Sequence, residues 1–292
     1  MSGKKIGVWT VAVLVFCGYM LWPVYQFYAW SKDALPLSPF GWQVLPDKAV
    51  STQKLNDKGF EQAAEQSLLA IEDHRKEIGA PAISAAVSAC GKVVWAGASG
   101  WADIEAKIPV SPETRFRIGS TSKALTGTAL ARLVQRKRIE LDKPISNYLE
   151  ILPNPAWAVI TPRQLASHMS GLPHYKKNTD WAGLYETLAL NSHYDDMYRA
   201  LGVFDGSELL FQPGTEFYYS TLGTVLLGAV LAGAEQKSYL EVMEEEVFIP
   251  VSMESTEVSP TNGDIQRNIA RFYKTILRTV LGGEIGRNHG QI

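Results

Sequence analysis

The N-terminal part of the chain carries the longest uncharged apolar stretch. Ile6–Trp22 contains no charge, and the aromatic-rich sequence VYQFYAW continues the run to Trp30. A helix of about 20 apolar residues crosses the hydrocarbon layer of a bilayer. Because two lysines precede the run, residues 1–30 are predicted to be a single-pass anchor with a cytoplasmic N-terminus and an extracytoplasmic domain, periplasmic in a bacterium. A cleaved signal peptide, with its small-residue site at Ala29-Trp30-Ser31, is the alternative.

Patterns of a folded domain begin after this run. Residues 31–58 combine prolines and mixed charge with little periodicity, which predicts a spacer. In Phe60–Ile78 the apolar residues recur with helical spacing. Ile83–Ala89 and Lys92–Ala98 are β-rich runs joined by a Cys-Gly dipeptide, the pattern of a hairpin. Residues 59–292 are therefore predicted to form one domain.

A helical period dominates the middle of the chain. From Ser120 onward the apolar residues fall on one helical face, which predicts a long helix. Thr161-Pro162 opens a short helix that Gly171 should stop. Thr221–Ala234 is apolar on most faces but too short to cross a membrane, so we expect a helix buried inside the domain.

Composition and charge exclude several function classes. The formal net charge of the 292 residues is -2, with acidic and basic residues interspersed, so no nucleic-acid partner is expected. The two cysteines, Cys17 and Cys90, show neither C-x-x-C nor zinc-ligand spacing, and Cys90 has no evident base beside it. His168 and His174 lack a third ligand and are predicted to be structural. No metal and no cofactor are expected, and the oligomeric state stays open.

The tetrad S-x-x-K occurs three times, at Ser2, Ser51 and Ser120. Ser2 belongs to the predicted cytoplasmic tip and Ser51 to the predicted spacer, whereas Ser120 follows a glycine and leads directly into a long helix of the domain with one apolar face. Residues three apart on a helix are neighbours, so Lys123 should lie beside the Ser120 hydroxyl. Burial and the helix dipole disfavour a charged ammonium there, which would let Lys123 accept the serine proton. The alternative is that one of the hydroxyls of this segment caps the helix.

Three segments carry a resemblance to a known family, and their sequences are GWADIEAKIPVSPETRFRIGSTSKALTG, ITPRQLASHMSGLPHY and PGTEFYYSTLG. In this order they resemble the penicillin-recognising serine hydrolases of the class C β-lactamase type. That family includes D-alanyl-D-alanine peptidases, esterases and mitochondrial serine β-lactamase-like proteins. The resemblance implies that Ser120 is the acylated serine, that Lys123 is its partner and that Tyr219 shares in proton transfer. It also implies that Tyr218 is a packing neighbour of Tyr219.

The resemblance further implies a fold class: an α/β (α+β) fold of the β-lactamase/transpeptidase type, with a mostly antiparallel sheet flanked by helices and an inserted helical region. Thr221 stands where most members have asparagine, and it is the expected substrate-binding residue. Glu186 is expected to be an ordinary helix residue, because its surroundings do not fit a class A pattern. The family's late K-T-G or H-T-G strand has no match between Tyr219 and Ile292. We therefore expect either a fragment or frameshifted form that lacks the C-terminal strands of the sheet, or a C-terminal tail (TILRTVLGGEIGRNHGQI) that compensates for them.

Two functions remain open at this point. The first is a membrane-anchored, extracytoplasmic serine hydrolase that acts through an acyl-enzyme on amides or esters, such as D-alanyl peptides, other peptides or β-lactams. The second is a catalytically impaired family member that keeps the helical region for binding or assembly. The resemblance favours the first function, and the missing strand motif favours the second.

Overall fold

The computed structural model describes residues 10–11, 13–22, 25, 42–46, 48–175, 186, 189, 192, 194, 196–257, 268–271, 273–276 and 284–287. The described residues form an antiparallel sheet with helices packed against it and a larger helical region beside it. The predicted mixed fold with an antiparallel sheet is confirmed. The strands are β1 (Trp42–Val44), β2 (Ser51–Leu55), β3 (Ala82–Ala89), β4 (Lys92–Asp103), β5 (Ile108–Pro109), β6 (Tyr273–Ile276) and β7 (Glu284–Arg287). The α-helices are α1 (Glu61–Glu77), α2 (Ser122–Gln135), α3 (Pro162–Ala166), α4 (Met197–Leu201), α5 (Thr221–Glu235) and α6 (Tyr239–Met243).

The predicted hairpin is present as β3 and β4. Ala89 pairs with Lys92 across the turn, and Cys90 and Gly91 both have positive φ, 50° and 75°. Two positive φ angles in succession give a turn whose twist matches that of the flanking strands. The second strand runs beyond its predicted end to Asp103, and β5 pairs with this extension.

Residues 51–58 belong to the folded unit rather than to the predicted spacer. Ser51–Leu55 forms β2, which pairs along β4, so the strand order is β2-β4-β3. The Gln53 side-chain oxygen accepts a 2.8 Å hydrogen bond from the Trp95 indole N–H, which ties the two strands together. Because this pairing joins residues far apart in sequence, local composition did not reveal it. The hairpin thereby has a partner on the β4 side.

Helix α1 covers one face of this sheet. It occupies Glu61–Glu77, within the predicted range, and ends before Gly79, whose φ is +63°. Its buried residues Ala64 and Ile71 contact Trp95 of β4 in a small apolar cluster. The predicted first helix is confirmed, and its apolar face is the side that packs on the sheet.

The larger core lies in the helical region, with α5 at its centre. Nine residues of α5 are buried, as expected for a helix apolar on most faces. They pack with Ala129, Leu130 and Leu133 of α2. The predicted buried helix is confirmed, and it lies against the helix that follows Ser120.

The short helix at Thr161 has the predicted start but an earlier end. The Thr161 hydroxyl accepts the Gln164 N–H at 3.3 Å, and the Gln164 side chain accepts the Thr161 N–H at 3.0 Å. These reciprocal bonds form a capping box. However, α3 ends at Ala166, so Gly171 lies in a later turn instead of stopping the helix.

The described residues of the C-terminal segment form a second small sheet. Strands β6 and β7 pair with each other, and β7 pairs with β1, giving the order β1-β7-β6. Arg271, just before β6, makes an ion pair with Asp103 at 2.7 Å and another with Glu105 at 3.1 Å. The segment therefore contacts the end of β4, but its strands do not extend the β2-β4-β3 sheet.

Most of the predicted N-terminal anchor, including Ala29-Trp30-Ser31, lies outside the described residues, as does Ser2 of the first S-x-x-K. Residues 13–22 are helical and largely exposed. Within the described part of the chain, no helix combines the length and apolarity needed to span a bilayer. The anchor stays a prediction.

Candidate active site

Ser120 lies in a short turn that leads into α2. Gly119–Thr121 forms one 3₁₀ turn, and the α-helix begins at Ser122 rather than at Ser120. Gly119 has a φ of +51°, which glycine adopts without steric cost. The Ser122 hydroxyl donates to the Gly119 carbonyl at 2.8 Å and closes the turn. Thr121, the residue that precedes the helix, makes no side-chain capping bond, so the capping alternative finds no support here.

Two side chains converge on the Ser120 hydroxyl. The Lys123 ammonium donates to Ser120 Oγ at 3.1 Å. The Tyr219 hydroxyl, which comes from the other end of the helical region, donates to the same oxygen at 2.9 Å. Lys123 Nζ also lies 5.2 Å from the centre of the Tyr219 ring. The structure thus brings together the three residues that the sequence singled out.

The environment of Tyr219 makes its hydroxyl more acidic. The hydrogen bond with Ser120 lowers the pKa of Tyr219 most, followed by the hydrogen bond and the charge of Lys123. The Thr221 side chain contributes in the same direction. Because Tyr219 is 40% exposed, this shift is partly screened by solvent. A phenol with a lowered pKa beside a serine hydroxyl is suited to exchange a proton with it.

The backbone before α5 fixes the position of Tyr219. Ser220 is only 1% exposed and is the N-cap of α5. Its hydroxyl accepts the Gly223 N–H at 2.9 Å and donates to the Pro173 carbonyl at 2.7 Å. Both bonds are made in the interior, so the residue next to Tyr219 is held on two sides.

Two histidines flank the Tyr219 ring, a position that sequence reasoning did not anticipate. The ring centre of His168 lies 4.6 Å from that of Tyr219, and the ring centre of His174 lies 5.6 Å from it. From the sequence, both residues are predicted to be structural. Their nearness to Tyr219 depends on long-range folding, and the only local signal was their spacing within SHMSGLPH.

The other candidate residues contribute less to the site. Thr221 is the first residue of α5 and is half-buried, and its expected contact with substrate stays a prediction. Tyr218 is 45% exposed. Glu186 is helical and half-buried. Cys17 and Cys90 are both free and exposed. Among the residues described, no three His, Cys, Asp or Glu side chains gather as a metal site.

Comparisons with known proteins find related sequences and related folds. The Beta-lactamase family profile matches residues 69–277. The human serine beta-lactamase-like protein LACTB, mitochondrial, is 30% identical, over 73% of this chain and 50% of that protein. The match to the solved structure of EstCE1, described as a hydrolase with promiscuous acyltransferase activity, covers 78% of this chain and 64% of the EstCE1 chain. The sequence identity is 26% and the TM-score is 0.58. The match to the structure of the D-amino acid amidase from Ochrobactrum anthropi SV3 covers 72% of this chain and 57% of the amidase chain. The sequence identity is 25% and the TM-score is 0.57.

The match covers only part of the length of each relative. The chain spans about half the length of the curated serine β-lactamase-like relatives that it matches. The residues that the family profile matches include the Ser120 turn, α2, the histidine segment and α5. The elements that build the site are therefore those that the family profile recognises.

Proposed function

The chain belongs to the β-lactamase family, and from this premise we propose that it is a serine hydrolase in which Ser120 forms an acyl-enzyme with an amide or ester substrate. One observation carries the proposal. Lys123 Nζ and the Tyr219 hydroxyl lie 3.1 Å and 2.9 Å from the same Ser120 oxygen. A serine hydroxyl is a weak nucleophile until a neighbouring base takes its proton, and both neighbours are within reach for that transfer.

In the acylation step, Ser120 Oγ bonds to the carbonyl carbon of the substrate while its proton moves to Lys123 as a free amine or to Tyr219 as a phenolate. When the tetrahedral intermediate collapses, the bond to the leaving amine or alcohol breaks, and the leaving group takes that proton. Tyr219 suits this second transfer, because its pKa is lowered and its hydroxyl is hydrogen-bonded to Oγ. Water then attacks the ester carbonyl and gives a proton to the same group. That proton passes to Ser120 Oγ as the bond between Oγ and the carbonyl carbon breaks, which releases the acid and restores the free enzyme. The reaction needs no cofactor.

The substrate class is proposed from the relatives. EstCE1 is described as a hydrolase with acyltransferase activity, and the Ochrobactrum protein as an amidase acting in the D-amino acid series. Small esters and amides, including D-alanyl peptides and β-lactams, are therefore the compounds that we propose for Ser120. Thr221 begins α5 directly after Ser220, and we assign it to contact the substrate. Its hydroxyl can donate or accept a hydrogen bond but lacks the two-sided reach of an asparagine amide, so we expect weaker binding of a substrate that presents an amide side chain, such as a β-lactam.

A non-enzymatic scaffold is the second candidate, and one observation favours it. No [KH]-[ST]-G motif occurs between Tyr219 and Ile292. In the resembled family that motif supplies the second oxyanion donor, and loss of such a donor costs about 10²–10³ in rate. A chain without it would keep the helical core for binding.

Covalent labelling separates the two candidates. A fluorescent fluorophosphonate should label the wild-type chain, with loss of fluoride and formation of a phosphorus–Oγ bond. Labelling should disappear in Ser120→Ala and persist in Thr128→Ala, the matched control, because Thr128 is an exposed residue of α2 whose hydroxyl bonds the Ala124 carbonyl and does not contact the Ser120 turn. A folded wild-type protein that never labels, with either the phosphonate or a fluorescent penicillin, would favour the scaffold.

We also propose that residues 1–30 anchor the domain outside the cytoplasm. The proposal is supported by the uncharged run from Ile6 and by the two lysines before it. A protease added to intact cells should then remove the domain from a membrane-bound N-terminal fragment. Protection of the domain in intact cells, with cleavage only after lysis, would contradict the orientation.

A further inference from the structure

The two histidines beside Tyr219 make specific backbone contacts. The Ser220 N–H donates to His168 Nδ1 at 3.3 Å, and the Thr221 N–H donates to His174 Nδ1 at 3.1 Å. The His168 carbonyl also accepts the Tyr218 N–H at 2.9 Å. The backbone on both sides of Tyr219 is therefore held by the segment that contains these histidines.

These contacts define the chemical state of both rings. A ring nitrogen that accepts a hydrogen bond carries no proton, so each neutral imidazole must carry its proton on Nε2. Protonation of either ring would place an N–H at Nδ1, opposite a backbone N–H that it cannot bond. The two contacts exist only while the histidines are neutral.

We propose that His168 and His174 are positioning residues, which as neutral imidazoles hold residues 219–221 so that the Tyr219 hydroxyl reaches Ser120, and which release this hold when they are protonated. The consequence for catalysis rests on the proposed acyl transfer at Ser120, whereas the contacts themselves can be tested without it. The proposal gives a function to two polar side chains that the proton-transfer steps do not use.

The surroundings favour the neutral rings. Burial lowers the pKa of His168 and of His174 most, and the charge of Lys123 lowers both further. Glu186 opposes the shift at His174, and His168 adds to it. Within the described part of the chain, four titratable groups face the two rings: Lys123 from α2, Tyr219 from the segment before α5, Glu186, and Tyr175, whose ring centre is 3.7 Å from that of His174.

The sign of the pH effect follows from these directions. A histidine whose pKa is lowered in the folded state binds its proton more weakly than it does in the unfolded chain. The contribution of the two histidines to the free energy of unfolding is therefore fully present above the ordinary histidine pKa of 6.5. It is lost as the pH falls through the folded-state pKa. Both the stability and the acylation rate should therefore decrease on the acid side.

The first experiment reads the tautomers directly. Two-bond ¹H–¹⁵N correlation spectra of the ¹⁵N-histidine-labelled full chain, above the ordinary histidine pKa, should show the Nε2–H tautomer for both rings. The resonances are assigned with His168→Asn and His174→Asn. An Nδ1–H tautomer, or a charged ring under these conditions, at either position would overturn the proposal. This readout does not depend on whether Ser120 reacts.

The second experiment measures the rate of fluorophosphonate labelling against pH. Asparagine offers an amide oxygen in place of Nδ1 but does not titrate, and it tolerates the left-handed backbone of His168, whose φ is 57°. The double variant His168→Asn/His174→Asn should label within about tenfold of the wild-type rate at alkaline pH. It should also lose the part of the acid decrease that lies in the histidine range, while the decrease caused by protonation of the base that accepts the Ser120 proton remains.

Matched controls complete the design. His74→Asn changes an exposed histidine on α1 that bonds Glu77, and it should keep the wild-type pH profile. The double leucine variant, which has no acceptor, should label slowly at every pH. A folded asparagine variant with an unchanged acid limb, or one without activity at alkaline pH, would overturn the positioning role. A wild-type chain that shows the Nε2–H tautomers but never labels would overturn the proposed function alone.

Discussion

At the scale of single residues, the site is a serine whose oxygen is shared by an amine and a phenol. Ser120 could be singled out from the sequence, because the other two S-x-x-K tetrads lie at the N-terminal tip and in the predicted spacer, outside the predicted domain. The 99-residue separation between Ser120 and Tyr219 was bridged only by the family resemblance. The contacts of His168 and His174 were not foreseen, because their partners are backbone N–H groups 52 and 47 residues away. Every residue except proline has a backbone N–H, so the sequence does not indicate which of them donates to a histidine.

The two neighbours of Ser120 can be tested separately. Tyr219→Phe removes the hydroxyl at 2.9 Å but keeps the ring, so the acylation rate should fall by about 10²–10⁴. Tyr218→Phe, which alters the adjacent exposed tyrosine, should leave the rate near that of wild type. Stopped-flow or timed-quench labelling measures both rates. Equal rates in the two variants would contradict a role for the Tyr219 hydroxyl.

Lys123→Arg tests whether the amine must give up its proton. Arginine keeps a positive charge near Ser120 but cannot act as a base, because its guanidinium stays protonated in proteins. Acylation should therefore decrease by about 10²–10⁴, as expected for loss of a general base. A variant with the wild-type rate would show that Lys123 acts only through its charge.

At the scale of elements, the sequence was most informative where structure is local. The hairpin turn, the capping box at Thr161 and the apolar α5 each follow from residues within a few positions of one another. β2 was missed because its partner strand begins at Lys92, and residues 51–55 show no clear alternation in exposure. The start of α2 was placed too early, because a 3₁₀ turn and a first α-helical turn share similar residue preferences.

Ser220 is the N-cap of α5 and directly follows Tyr219, so the start of this helix fixes a residue of the site. Ser220→Ala removes a buried hydroxyl that bonds one buried and one half-buried backbone group, so the free energy of unfolding should decrease by roughly 1–3 kcal/mol. Ser238→Ala removes the exposed cap of α6 and should cost about 1 kcal/mol or less. Urea unfolding of the two variants compares these costs. A smaller loss for Ser220→Ala than for Ser238→Ala would contradict the buried role of this cap.

At the scale of the whole molecule, the site lies at one end of the larger core. The two segments that meet at Ser120 lead into α2 and α5, which pack against each other through buried apolar residues. The residues that react are thus positioned by the best-packed part of the chain. The sequence predicted this arrangement in outline, because periodicity identifies both helices. It did not predict the second sheet of β1, β6 and β7, which depends on pairing between the two ends of the domain.

The most direct test of the central claim locates the covalent adduct by mass spectrometry after fluorophosphonate treatment of the full chain. Cleavage after Arg117 and Lys123 releases a peptide that contains Ser120, Thr121 and Ser122. Fragmentation of that peptide should place the phosphonate on Ser120 alone, and Ser120→Ala should yield the unmodified peptide. An adduct on Thr121, Ser122 or another peptide, or no adduct on a folded chain, would contradict acylation at Ser120.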